Sequence, residues 1–366
     1  MFQRIAPLVL AIAACGTSSP STASPADAAA ASAATGDASA PGTFDSGLPV
    51  VAEAGSSPSD AGGATGVTLQ FASSAYTLYA SIGGGPAHLV QLDTGSLGLY
   101  VPASAVGASA TVSTTETCSI TYVSSGNTLS GHRATASVTL LGSTKAGDVA
   151  SPPATIAMPL CAVDDATFTG GVMGVGFGRG TAPDPTWNVL LQMEGVQGGT
   201  MHAGYVLSTH PAPSVQIGLT TAGAARFQTI ALTASTSGDG DWIATSLHGC
   251  LALPKVSSFT QVCGPLLVDT GVADCLLWGP SDPTLGGVVP SGQTTVPGGT
   301  AIQIASPASG SILDYSFVVG SGVDTPAAVS VRTAGGFSIN TGRALLVDYD
   351  YLFDAQAGLV GFRAAK

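Results

Sequence analysis

A strand that runs into an aspartate, present twice, constrains this chain more than any other feature. In Val90-Gln91-Leu92-Asp93-Thr94-Gly95-Ser96 a strand-favouring run meets an acid and a small turn, and a second apolar run, Leu97 to Val101, follows. The pattern returns in Leu266-Leu267-Val268-Asp269-Thr270-Gly271, followed after a gap by Leu276-Leu277-Trp278. A carboxylate at the end of a buried strand is costly to ionise unless donors surround it. Thr94 and Ser96 offer hydroxyls and Gly95 an unobstructed N–H, and Thr270 and Gly271 repeat the first two. Two copies imply two similar lobes that bring their carboxylates together. The competing reading, two ordinary exposed turns in a chain rich in Thr and Gly, leaves unexplained why both acids sit between apolar segments.

The pattern around these units is that of short strands. Val67, Leu69 and Phe71 alternate with Thr68 and Gln70, and Tyr76 to Ile82 alternates likewise before Gly83-Gly84-Gly85-Pro86 turns the chain. Ile120 to Val123 and Ala134 to Leu141 predict a strand pair around the turn Ser124-Ser125-Gly126-Asn127. Further strands are expected at Val215–Leu219, Phe227–Leu232, Trp242–Leu247, Leu266–Asp269, Ile302–Ile304, Tyr315–Val319 and Ala344–Val347. Trp187 to Glu194, stopped by Gly195, is the one helix candidate. Many short strands with Gly and Pro turns describe an all-β protein, and no repeat of 20–50 residues suggests a solenoid or propeller.

Composition narrows the function. Charged residues are only 9% of the chain and Lys plus Arg number 10, which argues against a nucleic-acid partner. The net charge of −12 suits mildly acidic surroundings, where carboxylates lose their mutual repulsion; solubility alone would explain it equally well. Arg4 followed by the apolar stretch Ile5 to Ala14 reads as an export signal over residues 1–15, too short to span a bilayer. Its ending Ala13-Ala14-Cys15-Gly16 is similar to a bacterial lipobox, with Cys15 as the lipidated residue; plain cleavage and secretion is the alternative. The expectation is therefore a monomer exported to the cell envelope and touching the membrane only through its lipid anchor. Residues 16–65 hold Ala, Ser, Pro, Gly, Thr and Asp with almost no large apolar side chain, and are read as a disordered spacer. Residues 66–205 and 206–366 are assigned to an N-terminal and a C-terminal lobe, one aspartate in each.

Two carboxylates in contact cannot both ionise easily, so one proton is shared across the pair. Such a pair can hold a water, take a proton from it with the ionised member, and polarise a substrate carbonyl with the protonated one. Amide hydrolysis then needs neither metal nor other cofactor. The five histidines, His88, His132, His202, His210 and His248, lack the spacing of a metal site.

Residues 66 to 366 resemble the pepsin-like family of bilobal aspartic proteases. Tyr79-Ala80-Ser81-Ile82-Gly83 looks like the family's opening strand and turn, and Leu92-Asp93-Thr94-Gly95-Ser96 through Pro102 matches its first catalytic loop, with Tyr100 where most members have Trp. Ser119-Ile120-Thr121-Tyr122 resembles the flap that closes over substrate, which would make Tyr122 the flap tyrosine, its hydroxyl bonded to Tyr100. Gly170 to Gly176 is similar to the segment that crosses behind the first loop, and Ala344 to Asp354 with Gly358 to Phe362 resembles the closing strands. The resemblance implies two lobes with a cleft between them, Asp93 and Asp269 as catalytic acids, and peptides or proteins as substrates. A scaffold that binds or inhibits without hydrolysis, or a purely structural lipoprotein, are the other readings.

The second half departs more than the first. Val272 stands where the family usually has a hydroxyl residue, so Asp269 is expected to lack the donor that Asp93 keeps in Ser96, and to hold the shared proton. Val123 replaces a common flap glycine, and Asn340-Thr341-Gly342 replaces an apolar-apolar-Gly segment, which is expected to weaken packing behind Asp269. Nothing basic lies between Arg4 and Arg133, so no lysine-bearing prosegment plugs the acids. Beyond Cys15, five cysteines remain, and spacing alone leaves their connectivity open. Cys118 with Cys161 would tie the flap to a neighbouring strand, Cys250 with Cys263 would close a hairpin before Asp269 as a short loop does in the family, and Cys275 would stay unpaired. Tyr100, Trp187, Trp242 and Trp278 lie inside apolar runs and are read as packing residues.

Overall fold

The computed structural model describes residues 66–179, 184–322, 324–333 and 336–365. These belong to the second of two units, Ser59–Lys366, the first being Met1–Pro58. The signal segment, Cys15 and the spacer lie outside the described residues.

Among the described residues the protein is all-β. The first strands are β1 (Val67–Gln70), β2 (Thr77–Ile82), β3 (His88–Asp93), β4 (Leu97–Pro102), β5 (Thr111–Thr121), β6 (Thr128–Ala136), β7 (Val138–Gly142), β8 (Met158–Val163) and β9 (Gly171–Val175). A middle group follows: β10 (His202–Ser208), β11 (Ser214–Leu219) and β12 (Gln228–Ala231). Next come β13 (His248–Ala252), β14 (Val262–Leu267), β15 (Cys275–Trp278), β16 (Ala301–Ser306), β17 (Leu313–Val318), β18 (Val329–Arg332) and β19 (Ser338–Asn340). The chain closes with β20 (Tyr349–Asp354) and β21 (Leu359–Ala364).

Three sheets result. An eight-stranded sheet in the order β5-β6-β8-β4-β9-β3-β2-β7 carries Asp93, and a seven-stranded sheet, β17-β16-β13-β14-β19-β15-β18, leads into Asp269. A six-stranded sheet, β1-β11-β10-β20-β21-β12, draws strands from both ends of the described chain. Residues 205 and 206, where the sequence divides into halves, are neighbours inside β10 of that shared sheet.

The two aspartate units sit in the same local topology. The strand entering the first loop, β3, pairs in parallel with β9, while the strand leaving it, β4, runs antiparallel to β9 and parallel to β8. In the second unit β14 pairs in parallel with β19, and β15 runs antiparallel to β19 and parallel to β18. Each loop is thus spanned from behind by one later strand, β9 or β19. The segment Gly170 to Gly176 occupies the expected place behind the first loop.

Burial explains why these strands read as unbroken apolar runs. All six residues of β4 are buried, with Leu99 and Val101 in the main core and Leu97 and Tyr100 in a smaller cluster with Trp187. Leu92 and Leu266, which flank the loops, are also core residues, each contributing roughly 2–3 kcal/mol by leaving water.

Both proposed disulfides are present, Cys118–Cys161 and Cys250–Cys263, and Cys275 is free and buried. The first links the β5–β6 hairpin to β8, and the second crosses the β13–β14 pair.

Three elements differ from expectation. Trp187–Glu194 is not a helix; a 3-10 turn covers Pro185–Trp187 and a single helical turn covers Glu194–Gln197. Asn188 interrupts it, because its side-chain oxygen accepts from the Leu190 N–H at 3.0 Å while its amide donates to the Val175 carbonyl at 2.9 Å. Ala344–Val347 is a 3-10 turn rather than a strand, with Leu345 and Leu346 packed into the core. Trp242–Leu247 is broken by a 3-10 turn at Ala244–Ser246, where Ser246 Oγ donates to the Ile243 carbonyl at 2.6 Å.

Candidate active site

The two Asp-Thr-Gly loops meet. Thr94 Oγ1 donates to the Val268 carbonyl and Thr270 Oγ1 to the Leu92 carbonyl, each at 2.6 Å. In return the Thr94 N–H donates to Thr270 Oγ1 and the Thr270 N–H to Thr94 Oγ1, both at 3.0 Å. Each threonine therefore ties its own loop to the strand that enters the other. Gln91 adds a longer bond from its amide to the Thr270 carbonyl at 3.3 Å. All four groups of the central exchange are buried, so each bond is expensive to leave unmade.

This bracing places the acids side by side. Asp93 is 4% exposed and Asp269 6%. A β-carbon on Gly95 would lie 2.5 Å from the Asp269 carboxyl, and one on Gly271 would lie 2.7 Å from Asp93 Oδ1. Only glycine lets each backbone come so close to the opposite acid. The Gly95 N–H donates to Asp93 Oδ1 at 2.8 Å, and the Gly271 N–H to Asp269 Oδ1 at 2.9 Å.

The outer oxygens are satisfied differently. Ser96 Oγ donates to Asp93 Oδ2 at 2.5 Å. Asp269, followed by Val272 rather than a hydroxyl residue, receives instead the Asn340 side-chain amide on Oδ2 at 2.7 Å. The Gly342 N–H donates to Asn340 Oδ1 at 2.8 Å, which fixes the direction of that amide. Asn340 was expected to weaken the structure behind Asp269; it supplies the missing donor from β19.

Burial first, and then the charge of Asp269, push the Asp93 carboxyl up from 3.8 to about 7. The Ser96 and Gly95 bonds pull the other way and do not prevail. The pair therefore keeps a proton, with Asp93 drawn toward the protonated state by loss of solvent.

Tyr122 follows directly on β5 at the end of the β5–β6 hairpin. Its N–H donates to the Asn127 carbonyl at 2.8 Å, and the next residue, Val123, is 73% exposed. The Tyr122 hydroxyl is buried without a hydrogen-bond partner, so the expected bond to Tyr100 is not made. Burial, and then Asp93 and Tyr100 within electrostatic reach, push its phenol up, while the Ser96 hydroxyl, near it but outside good bonding geometry, pulls the other way. Tyr100 is committed to packing with Leu97, Cys161 and Trp187, and burial pushes its phenol up to about 12. Among the described residues no group of His, Cys, Asp and Glu is arranged to hold a metal ion.

Sequence reasoning overlooked two residues. Asn340 was visible as a polar residue in an apolar slot, but its partner lies 71 positions away. Arg179 is one of only 10 basic residues and follows the crossing segment of the first loop, a signal that could have singled it out. It stands within electrostatic reach of Asp269 and Asp93.

A scan of the chain against protein-family models finds no match, and a search of curated proteins finds none either. The reading of the site rests on its own geometry.

Proposed function

We propose that the chain is an aspartic endopeptidase of the pepsin-like kind, with Asp93 and Asp269 facing a substrate cleft between two lobes. One observation carries the reading: two buried aspartates, each on a duplicated loop and separated by glycines that leave no room for a side chain, with a proton held on one of them. A pair so arranged suits direct attack by water. Asp269, steadied by Gly271 and Asn340, takes a proton as the water oxygen bonds the carbonyl carbon. Asp93 donates its proton toward the carbonyl oxygen as negative charge builds there. Collapse of the tetrahedral species breaks the C–N bond: the leaving nitrogen takes the proton that Asp269 received, and the hydroxyl that re-forms the carbonyl returns its proton to Asp93. Tyr122, at the hairpin end, has a hydroxyl left over for substrate or water.

A scaffold that binds peptides without cutting them is motivated by Val272, Val123 and Asn340-Thr341. Since Asn340 reaches Asp269, the substitutions at the second loop no longer favour it, and Val123 in the hairpin is the feature that does. The proposal also takes the protein to be exported and held at the membrane surface by lipid on Cys15. The two disulfides suit an oxidising compartment, and no helix among the described residues is long and apolar enough to cross a membrane.

The deciding experiment is peptide cleavage across pH, with and without pepstatin, comparing the parent with Asp93→Asn and Asp269→Asn. Loss of cleavage in either variant is expected. Cleavage that survives both changes ends the proposal, and peptide binding without turnover in the parent replaces it with the binding scaffold.

A further inference from the structure

A cavity of about 350 Å³ has Arg179 and Asn340 in its wall. Neither aspartate lines it; Asn340, whose amide donates to Asp269, connects it to the acid pair. Much of the remaining wall is apolar, from Leu267, Phe337 and the Trp278 ring, which has the Arg332 guanidinium 5.1 Å from its centroid. The stem of Arg179 runs beside the first loop, since a β-carbon on Gly176 would lie 3.1 Å from Arg179 Cγ and 2.5 Å from the Thr94 carbonyl.

Among the described residues Arg179 has no hydrogen-bond or ion-pair partner, and its Nε is buried. The residue is half-buried, and its guanidinium cannot shed its charge at ordinary pH. The acids within its electrostatic reach are already committed. Asp269 accepts from Gly271 and Asn340, Asp93 from Gly95 and Ser96, and Asp241 from the N–H groups of Gly178 and Trp242. A cation without a counter-charge, in a pocket whose other walls are uncharged, is a feature whose counter-charge arrives from outside.

We propose that this pocket recognises a carboxylate on the substrate, next to the bond cut by the acid pair, with Arg179 as the specificity-determining cation. The carboxylate belongs either to an Asp or Glu side chain or to the peptide's own C-terminus, since a guanidinium fork accepts both alike. The apolar wall receives the carbon skeleton that carries it. The choice is not a by-product of net charge: the chain is at −12 and the acid pair itself carries negative charge, so a carboxylate would be repelled here without Arg179. The inference uses the protease reading for its substrate but not for the pocket.

The test uses three blocked peptides that share a Phe–Leu bond and carry, one residue beyond it, an internal Glu, an internal Gln or a free chain end. The parent is expected to favour at least one carboxylate peptide over the Gln peptide by about tenfold in kcat/KM, the scale of one charge-assisted hydrogen bond. Whichever carboxylate arm leads identifies the source. Arg179→Gln should bring the ratio close to one, and Arg179→Lys should keep part of it. Equal rates in the parent, or a preference that persists in Arg179→Gln, overturn the inference. If the parent cuts none of the peptides, the protease reading fails, and calorimetric binding of the same peptides still decides the pocket. Binding that needs both the carboxylate and Arg179 sustains it, while charge-blind or absent binding ends it.

Discussion

The Asn340 amide donates to Asp269 Oδ2 at 2.7 Å, the task that Ser96 performs for Asp93 from within its own loop. The donor has moved from the loop to the strand that crosses behind it. Asn340→Leu should therefore make the pair hold its shared proton more tightly, and the acidic limb of the pH–rate profile should move up by about one unit. Val272→Thr placed on top of Asn340→Leu should recover part of that displacement by restoring a hydroxyl after the second loop. A profile unmoved by either change would show that this bond does not tune the acids.

Thr270→Val should destabilise the fold more than its conservative size suggests. It removes the hydroxyl that donates to the Leu92 carbonyl and accepts from the Thr94 N–H, leaving two buried groups unsatisfied. Each such group costs roughly 1–3 kcal/mol. Thr94→Val should cost a similar amount, and the double variant less than the two together, because the bonds belong to one network. Urea denaturation of the three variants checks this; additive losses would mean that the two threonines act independently.

The pH dependence of stability has a definite sign. An acid whose native pKa lies above its unfolded value binds its proton more tightly when folded. For Asp93, raised from 3.8 to about 7, stability is greatest below the lower value and declines as pH climbs through that window. The decline from this residue is on the order of a few kcal/mol. Asp241, pushed up by burial, adds to the same trend. Denaturation midpoints should be higher at pH 5 than at pH 8, and Asp93→Asn should flatten most of the difference. A parent more stable at pH 8 would contradict the raised proton affinity of Asp93.

The disulfides should contribute unequally. The loop closed by Cys118–Cys161 spans 43 residues and that of Cys250–Cys263 spans 13. Chain-entropy arguments give about 4 kcal/mol for the first and about 3 kcal/mol for the second. Replacing each pair by alanine and measuring unfolding in denaturant should reproduce that order.

The aspartate loops were legible because their signal is local: an apolar run, an acid, a hydroxyl and a glycine, twice. The strands around them were legible for the same reason, through alternation or through runs such as Leu97–Pro102 that are buried throughout. Ala344–Val347 and Trp242–Leu247 misled because a short apolar run looks alike in a strand and in a 3-10 turn packed on the core. Trp187–Glu194 misled because Asn188 offers the backbone another partner, a competition that helix periodicity does not register. Asn340 with Asp269, and Arg179 with its cavity, depend on contacts between distant positions, which no window of sequence contains.

Tyr122 separates structure from function most cleanly. Its hydroxyl is buried without a partner, close to Asp93, at the end of a hairpin whose neighbouring residue Val123 is exposed. An unsatisfied hydroxyl of this kind detracts from stability. Tyr122→Phe should therefore leave the unfolding free energy unchanged or raise it by up to about 1 kcal/mol. If the hydroxyl finds its partner in bound substrate or in the attacking water, the same variant should lose turnover by roughly tenfold or more. Paired measurements of unfolding and peptide cleavage test both halves at once. A loss of stability without a loss of rate would make Tyr122 a packing residue and remove it from the site.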